Sequence, residues 1–154
     1  MDDGESVRLR RVDVSDVEVF YLQENDPEAL RRANWTARDR KTFFEHWERR
    51  VLGDSTVRVR AIMAGDELAG NIAAWWQDGR RLIGFWLGRE FWGRGIGTRA
   101  LSLFLAPGQE ETRPLYAEAA VHNVASVRAL KRHGFDELEV VEDGPDEFVV
   151  LKLG

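Results

Sequence analysis

Two short stretches hold residues whose types and spacing could do chemistry. In the first, Phe91-Trp92-Gly93-Arg94-Gly95-Ile96-Gly97-Thr98, three glycines alternate immediately before a run of helical character. A chain that passes from strand to helix there either turns sharply or brings its backbone close to something. The first N–H groups of a helix point outward, at the positive end of its dipole. Phosphate oxygens are the natural guests, and Arg94 and Arg99 would add charge-assisted contacts. The same residues also suit a tight strand-to-helix connection that binds nothing. No Gly-Lys-Ser/Thr follows and the spacing is not GxGxxG, which argues against a nucleotide-binding domain. The second stretch is Leu115-Tyr116-Ala117-Glu118-Ala119-Ala120-Val121, where one carboxylate stands alone in an apolar run. A charge so placed needs water, a partner or a task. Glu118 is therefore a candidate proton acceptor, with a solvated or ion-paired residue at the open end of a sheet as the alternative. Just beyond it, either Asn123 or Ser126 can cap the next helix.

The elements that must position these residues follow from periodicity. Val7 to Arg11 reads as an opening strand, and Asp13 or Ser15 would cap a helix from about Val14 to Leu22. A second helical region runs from Glu28 into the 40s, its apolar stripe formed by Phe43, Phe44 and Trp47. The period then becomes two. Strands at 57–62, 68–76 and 82–87, joined by turns at Gly65-Asp66 and Asp78-Gly79, form a meander. The third strand feeds the glycines, a helix over 98–105 and, past Ala106-Pro107-Gly108, a strand at 115–121, which is a strand-helix-strand crossover. A helix over 124–133 ends at Gly134, and strands at 135–141 and 147–153 close the chain. The layout is one mixed α/β domain over residues 1–154, a sheet with helices on its faces. Val149 to Leu151 either pairs with a second subunit at a sheet edge, making a homodimer, or completes the sheet.

Composition narrows the chemistry. The chain has 154 residues, 44% hydrophobic and 32% charged, and no cysteine. Thiolate nucleophiles, disulfides and Cys-rich zinc sites are thereby removed, and His46, His122 and His133 lack metal-ligand spacing; His46, in a charged helix segment, reads as a surface residue. The N-terminus has no apolar signal region and no stretch is long enough to span a membrane, so a cytoplasmic location is the expectation. The formal charge is -5. Basic residues gather between Glu28 and Arg50, whereas the last third is acidic, which disfavours nucleic acid and suits a cationic partner.

Together the two stretches and the order of elements resemble the GNAT superfamily of acyl-CoA-dependent N-acyltransferases, and within it the branch of ribosomal-protein N-terminal acetyltransferases. The family's Q/R-x-x-G-x-G/A motif is matched by Trp92 to Gly97, with Ile83 to Leu87 as its feeding strand. Asn123 and Ser126, followed by Gly134-Phe135, match a second family element. The resemblance implies a central, mostly antiparallel twisted sheet with one parallel, splayed strand pair and helices on both faces. It implies an enzyme that takes acetyl-CoA as co-substrate and passes the acetyl group directly to a primary amine. The acceptor would be a protein N-terminus or a small molecule such as an aminoglycoside or polyamine, bound among walls that Trp35, Trp47, Trp75, Trp76 and Trp86 could supply.

It further implies roles for single residues. Backbone groups of Trp86 and Leu87 would hold the pantetheine arm; Trp92, Gly93, Arg94, Gly95, Ile96, Gly97 and Thr98 would hold the pyrophosphate; and Asn123 and Ser126 would line the cofactor side. Some relatives carry a catalytic Glu five positions before the matching Asn, as Glu118 precedes Asn123, and that role implies partial burial. Two departures stand out: Trp92 occupies the Gln/Arg position, and Leu130 the place of a tyrosine that protonates the leaving thiolate. A CoA-binding module without catalysis is the alternative from another class.

Overall fold

The computed structural model describes residues 6–154; the first five residues of the domain expected over 1–154 lie outside the described residues. Seven strands form one sheet: β1 (Val7–Arg10), β2 (Arg58–Ala64), β3 (Glu67–Gln77), β4 (Arg80–Leu87), β5 (Leu115–Ala120), β6 (Asp136–Asp143) and β7 (Asp146–Leu153). Their order is β1-β2-β3-β4-β5-β7-β6. Every neighbouring pair is antiparallel except β4 and β5, which run parallel.

That parallel pair is registered at two positions only, Arg81 with Leu115 and Leu82 with Tyr116. Beyond them β4 continues to Leu87 and β5 to Ala120 without partnering each other. The expected splayed pair is therefore present. Its closed end is pinned by a buried ion cluster. Glu110, from the loop before β5, receives Arg81 Nη2 at 2.9 Å and lies 3.6 Å from Arg58 Nε, while Arg81 Nη1 donates to the Thr56 carbonyl at 2.7 Å.

The two faces of the sheet are covered by different helices. On one face α4 (Ile96–Phe104) and α5 (Val124–Arg132) bury Ile96, Leu101, Phe104 and Leu130 against Ile72, Ile83, Leu115 and Leu151. On the other, α1 (Asp16–Glu24) and α3 (Arg40–His46), with the π-helical turn Trp47–Leu52 that follows, pack Val17, Phe20, Phe43 and Trp47 on Val59 and Ala61. The bulge at Ile62/Met63 shifts the register of β2, and Ile62, Met63 and Ala64 are all buried there. Among the described residues no helix is long and apolar enough to cross a membrane.

One expectation is corrected, and of one pair of alternatives the second holds. The helical region from Glu28 into the 40s is two helices, because Asn34 adopts φ 51 and ends α2 (Pro27–Ala33). Asp26 caps α2, with Pro27 in its first turn, and Asp39 starts α3 afresh by accepting from Thr42 N–H. Val149 to Leu151 does not form an edge: β7 lies between β5 and β6, so these residues complete the sheet. The outer strand is β6, whose sequence DELEVVED carries the acidic charges that discourage edge pairing.

Burial pushes the Glu110 carboxyl up, hydrogen bonds from Arg81 and Thr112 pull it down, and the balance lies below the ordinary glutamate range. A carboxyl depressed on folding stabilises fully above its unfolded pKa, and that contribution is lost as pH falls through the folded value. Glu110→Gln leaves Arg81 buried without its counter-charge, and the expected cost is about 3–5 kcal/mol at neutral pH in denaturant unfolding. The difference between parent and variant should narrow as pH falls below the glutamate range.

Candidate active site

Where β4 and β5 part, two adjoining cavities open, of about 520 Å³ and about 930 Å³. They share Phe85 and Trp86 from β4 and Asn123 and Ser126 from the entry to α5. They are thus two ends of one cleft that meet at the gap in the sheet.

The smaller cavity is built around the glycines, each of which has its own reason. Gly93 and Gly95 adopt φ 74 and 75, the left-handed region that L side chains resist, and an added Cβ on Gly93 would meet nothing within 4 Å. Both turn the chain; Gly93 leaves open space above the backbone, whereas a Cβ on Gly95 would lie 3.6 Å from the Arg99 guanidinium. Gly97 is different: a Cβ there would lie 3.1 Å from the Phe85 ring, so it lets α4 approach β4 closely. Gly95 is the N-cap of α4 and offers no side chain to its first N–H groups. The loop is tied to the strand by the Trp92 indole, which donates to the Leu87 carbonyl at 3.1 Å.

Trp86, Leu87, Trp92 and Gly93 line this cavity, as do Gly95, Ile96, Gly97 and Thr98, with Asn123 and Ser126 opposite. Ile96 buries its side chain in the core, which leaves its backbone for a ligand. Arg94 and Arg99 are not on the lining. Arg94 lies over the Phe91 ring at 5.3 Å, and Arg99 Nη2 donates to the Arg94 carbonyl at 2.7 Å. An added Cβ on Gly70 would fall 2.0 Å from the Trp86 carbonyl oxygen, so that carbonyl is aimed at β3. Alternation along the strand then turns the backbones of Phe85 and Leu87 toward the gap, so the expected backbone contact from Trp86 is replaced by one from Phe85. Asn123 does the capping, with its Oδ1 accepting from Ser126 N–H at 3.4 Å.

The larger cavity carries Glu118. Its neighbours Ala117 and Ala119 pack into the α4–α5 core, so Glu118 projects from the opposite face of β5. It is exposed to the cavity and not partly buried as expected. Trp35, Trp47, Trp75, Trp76 and Trp86 all contribute to the walls. The Trp75 ring lies over Gly84, where a Cβ would be 3.0 Å from it. Trp86 Nε1 donates to the Gln23 carbonyl at 3.1 Å. Leu130, 3% exposed, presents only hydrocarbon.

Apart from Glu118, the acids of the last third line neither cavity: Glu110 is neutralised inside the ion cluster, and the β6 carboxylates lie on the outer strand. The other charged groups on the larger cavity come from the first third of the chain and the turn after it, among them Glu24 bound to Arg38 at 2.9 Å. His46, expected at the surface, is half-buried in this wall. Burial, and then the positive charges of Arg38 and Arg50, hold its pKa below the ordinary histidine range. Its place three residues after Phe43, on a helix with an inward aromatic stripe, was the available signal. His122 Nε2 donates to the Arg31 carbonyl at 3.1 Å. His133 joins α5 to α4, Nδ1 donating to the Ala129 carbonyl and Nε2 meeting Ser102 Oγ, each at 2.8 Å.

A family model described as an acetyltransferase (GNAT) domain matches residues 6–136. The chain belongs to that family. Among solved structures, two of the aminoglycoside acetyltransferase AAC(6')-Ib, one with coenzyme A and one with coenzyme A and kanamycin, superpose with a TM-score of 0.76. Each is 20% identical, over 96% of this chain and 94% of the other. An acetyltransferase from Thermus thermophilus superposes with a TM-score of 0.73 at 20% identity, over 96% of both chains. No curated protein matches the sequence. The mixed sheet with one parallel pair is thus the GNAT fold.

The two kinds of glycine in this GNAT domain should respond differently to a methyl group. Gly93→Ala is expected to lose about 1–2 kcal/mol through backbone strain alone, and Gly97→Ala about 1–3 kcal/mol through the Phe85 contact. In urea unfolding, adding Phe85→Leu should recover part of the Gly97→Ala loss and none of the Gly93→Ala loss.

Proposed function

We propose that this chain, as one domain over residues 1–154, transfers an acetyl group from acetyl-CoA directly to a primary amine of a small molecule within a ternary complex. The observation that carries this reading is the single cleft with two unlike ends, a glycine-walled cavity on one side of the β4–β5 gap and the Glu118 cavity on the other. The residues fit the co-substrate. Gly93 leaves room above its backbone where a side chain would stand, the first turn of α4 lacks a side-chain cap, and β4 past Leu82 is open to an extended arm. Trp92, Gly93, Gly95, Ile96, Gly97 and Thr98 would hold its pyrophosphate, and Phe85, Leu87, Asn123 and Ser126 its arm. Bound there, acetyl-CoA supplies an activated acetyl thioester.

The chain's residues then have to deliver a neutral amine, since an alkyl ammonium has no lone pair. Glu118, exposed in the larger cavity, accepts the proton directly or through water, as the new C–N bond forms. Backbone N–H groups along the open edge of β4 face the position of the thioester oxygen and stabilise the charge that gathers on it. No cysteine exists to carry the acetyl group, which favours direct transfer. Leu130 supplies no proton to the departing sulfur, so water serves. The larger cavity, about 930 Å³ with aromatic walls, favours a compact small-molecule amine over the N-terminus of a folded protein, the acceptor of the ribosomal-protein branch.

Released thiol should be measured with acetyl-CoA and a panel of aromatic monoamines, polyamines, aminoglycosides and basic peptides, for the parent and Glu118→Gln. Turnover on a small amine is expected, with kcat lower by about 10²–10⁴ in the variant and unchanged acetyl-CoA affinity. Equal turnover in both would remove Glu118 as the base. Binding of acetyl-CoA without turnover would favour a CoA-binding module, and no binding would overturn the reading.

A further inference from the structure

Arg32, in the last turn of α2, is a cation whose surroundings do not account for it. Its guanidinium carbon sits 4.1 Å from the centroid of the Trp92 ring, and its Nε donates to Asn123 Oδ1 at 3.1 Å. Those two partners stand on opposite lips of the smaller cavity, Trp92 on the loop before α4 and Asn123 at the entry to α5. Arg32 therefore spans the mouth of the cavity and lines it together with Gly93 and Gly95. Among the described residues no carboxylate pairs with it, and neither Nη group has a hydrogen-bond partner. Arg31 beside it is paired with Glu28, so an acid was within reach of this turn but serves the neighbour.

The side chain is held in place without being neutralised. The Asn34 turn ends the helix, and His122 ties the Arg31 carbonyl to the β5–α5 junction, which keeps this part of α2 against the cleft. Burial alone lowers the guanidinium's pKa, yet an arginine stays protonated in a protein. The guanidinium is half-buried on the Trp92 ring and has no counter-ion among the described residues, so an anion arriving at its open side would be favoured. A planar fork with its Nη donors unused is matched by phosphate oxygens.

We infer that Arg32 is a binding residue for the phosphate groups of the nucleotide half of the co-substrate, stacked on Trp92 and steered by Asn123 so that its Nη groups face the glycine loop. The inference rests on the proposed use of acetyl-CoA. It assigns Asn123 a second duty besides capping α5, and it supplies from α2 a cation at the loop whose own first position is Trp92.

The test compares three probes, acetyl-CoA, dephospho-acetyl-CoA and S-acetylpantetheine, with the parent, Arg32→Ala and Arg32→Lys, by calorimetry and competition. Arg32→Ala should weaken acetyl-CoA by about ten- to a hundred-fold, the worth of a charge-assisted contact, and leave S-acetylpantetheine within about twofold of the parent. Arg32→Lys keeps the charge and should stay within about tenfold. A loss shared by dephospho-acetyl-CoA places the contact on the diphosphate, and a loss confined to acetyl-CoA places it on the ribose phosphate; both support the inference. Unchanged acetyl-CoA affinity in Arg32→Ala overturns it. So does equal weakening of all three probes, which would mark a merely structural residue, and so does a lysine variant as weak as the alanine one. A parent that binds none of the probes would instead refute the use of acetyl-CoA itself.

Discussion

Everything that could be functional here depends on an interaction that stops short. β4 and β5 are registered at Arg81–Leu115 and Leu82–Tyr116 and nowhere else. A parallel pair that separates leaves backbone donors and acceptors unpaired on both strands, a cost folded proteins rarely leave unanswered. Each strand is therefore secured on its other side, β4 by β3 along its whole length and β5 by β7 from Leu115 to Ala120. The Glu110 cluster holds the two together at the closed end. What remains open is a slot with strand-like hydrogen-bonding capacity, the kind of site that accepts an extended, amide-bearing ligand.

The glycine loop was legible in the sequence because its chemistry is local. Gly93 and Gly95 are needed for positive φ and Gly97 for contact with Phe85, and a residue without a Cβ advertises either need. Strand and turn positions were legible for the same reason: the Asp78-Gly79 turn has both residues at positive φ, as a two-residue hairpin prefers. Within the candidate site, Glu118 stood out because a carboxylate interrupting an alternating apolar run conflicts with its surroundings.

What was hidden is what tertiary placement decides. Glu110 reads as one more surface acid, and only the position of Arg81 on the next strand makes it an internal counter-ion. The acids of the last third read as an attractor for cations, but β6 is the outermost strand and carries half of them away from the cleft. The break at Asn34 was invisible because asparagine is only mildly unfavourable in a helix, and its left-handed turn is what brings Trp35 and Arg38 to the larger cavity. His46 was misplaced because a charged helix segment hides a single inward position.

The break at Asn34 also divides the labour of the early helices. α2 ends against the glycine-loop side and delivers Arg32 there. The chain after the break leads to Arg38 and His46 on the other side. One stretch of about twenty residues thus serves both cavities, with Ala33 lining each of them. The Arg31 carbonyl is held by His122, and the next peptide units pass directly into the Asn34 turn that leads to Trp35 and Arg38. The gap between β4 and β5 sets where the two ends of the cleft meet. The connection through Asn34 gives them a common wall at Ala33.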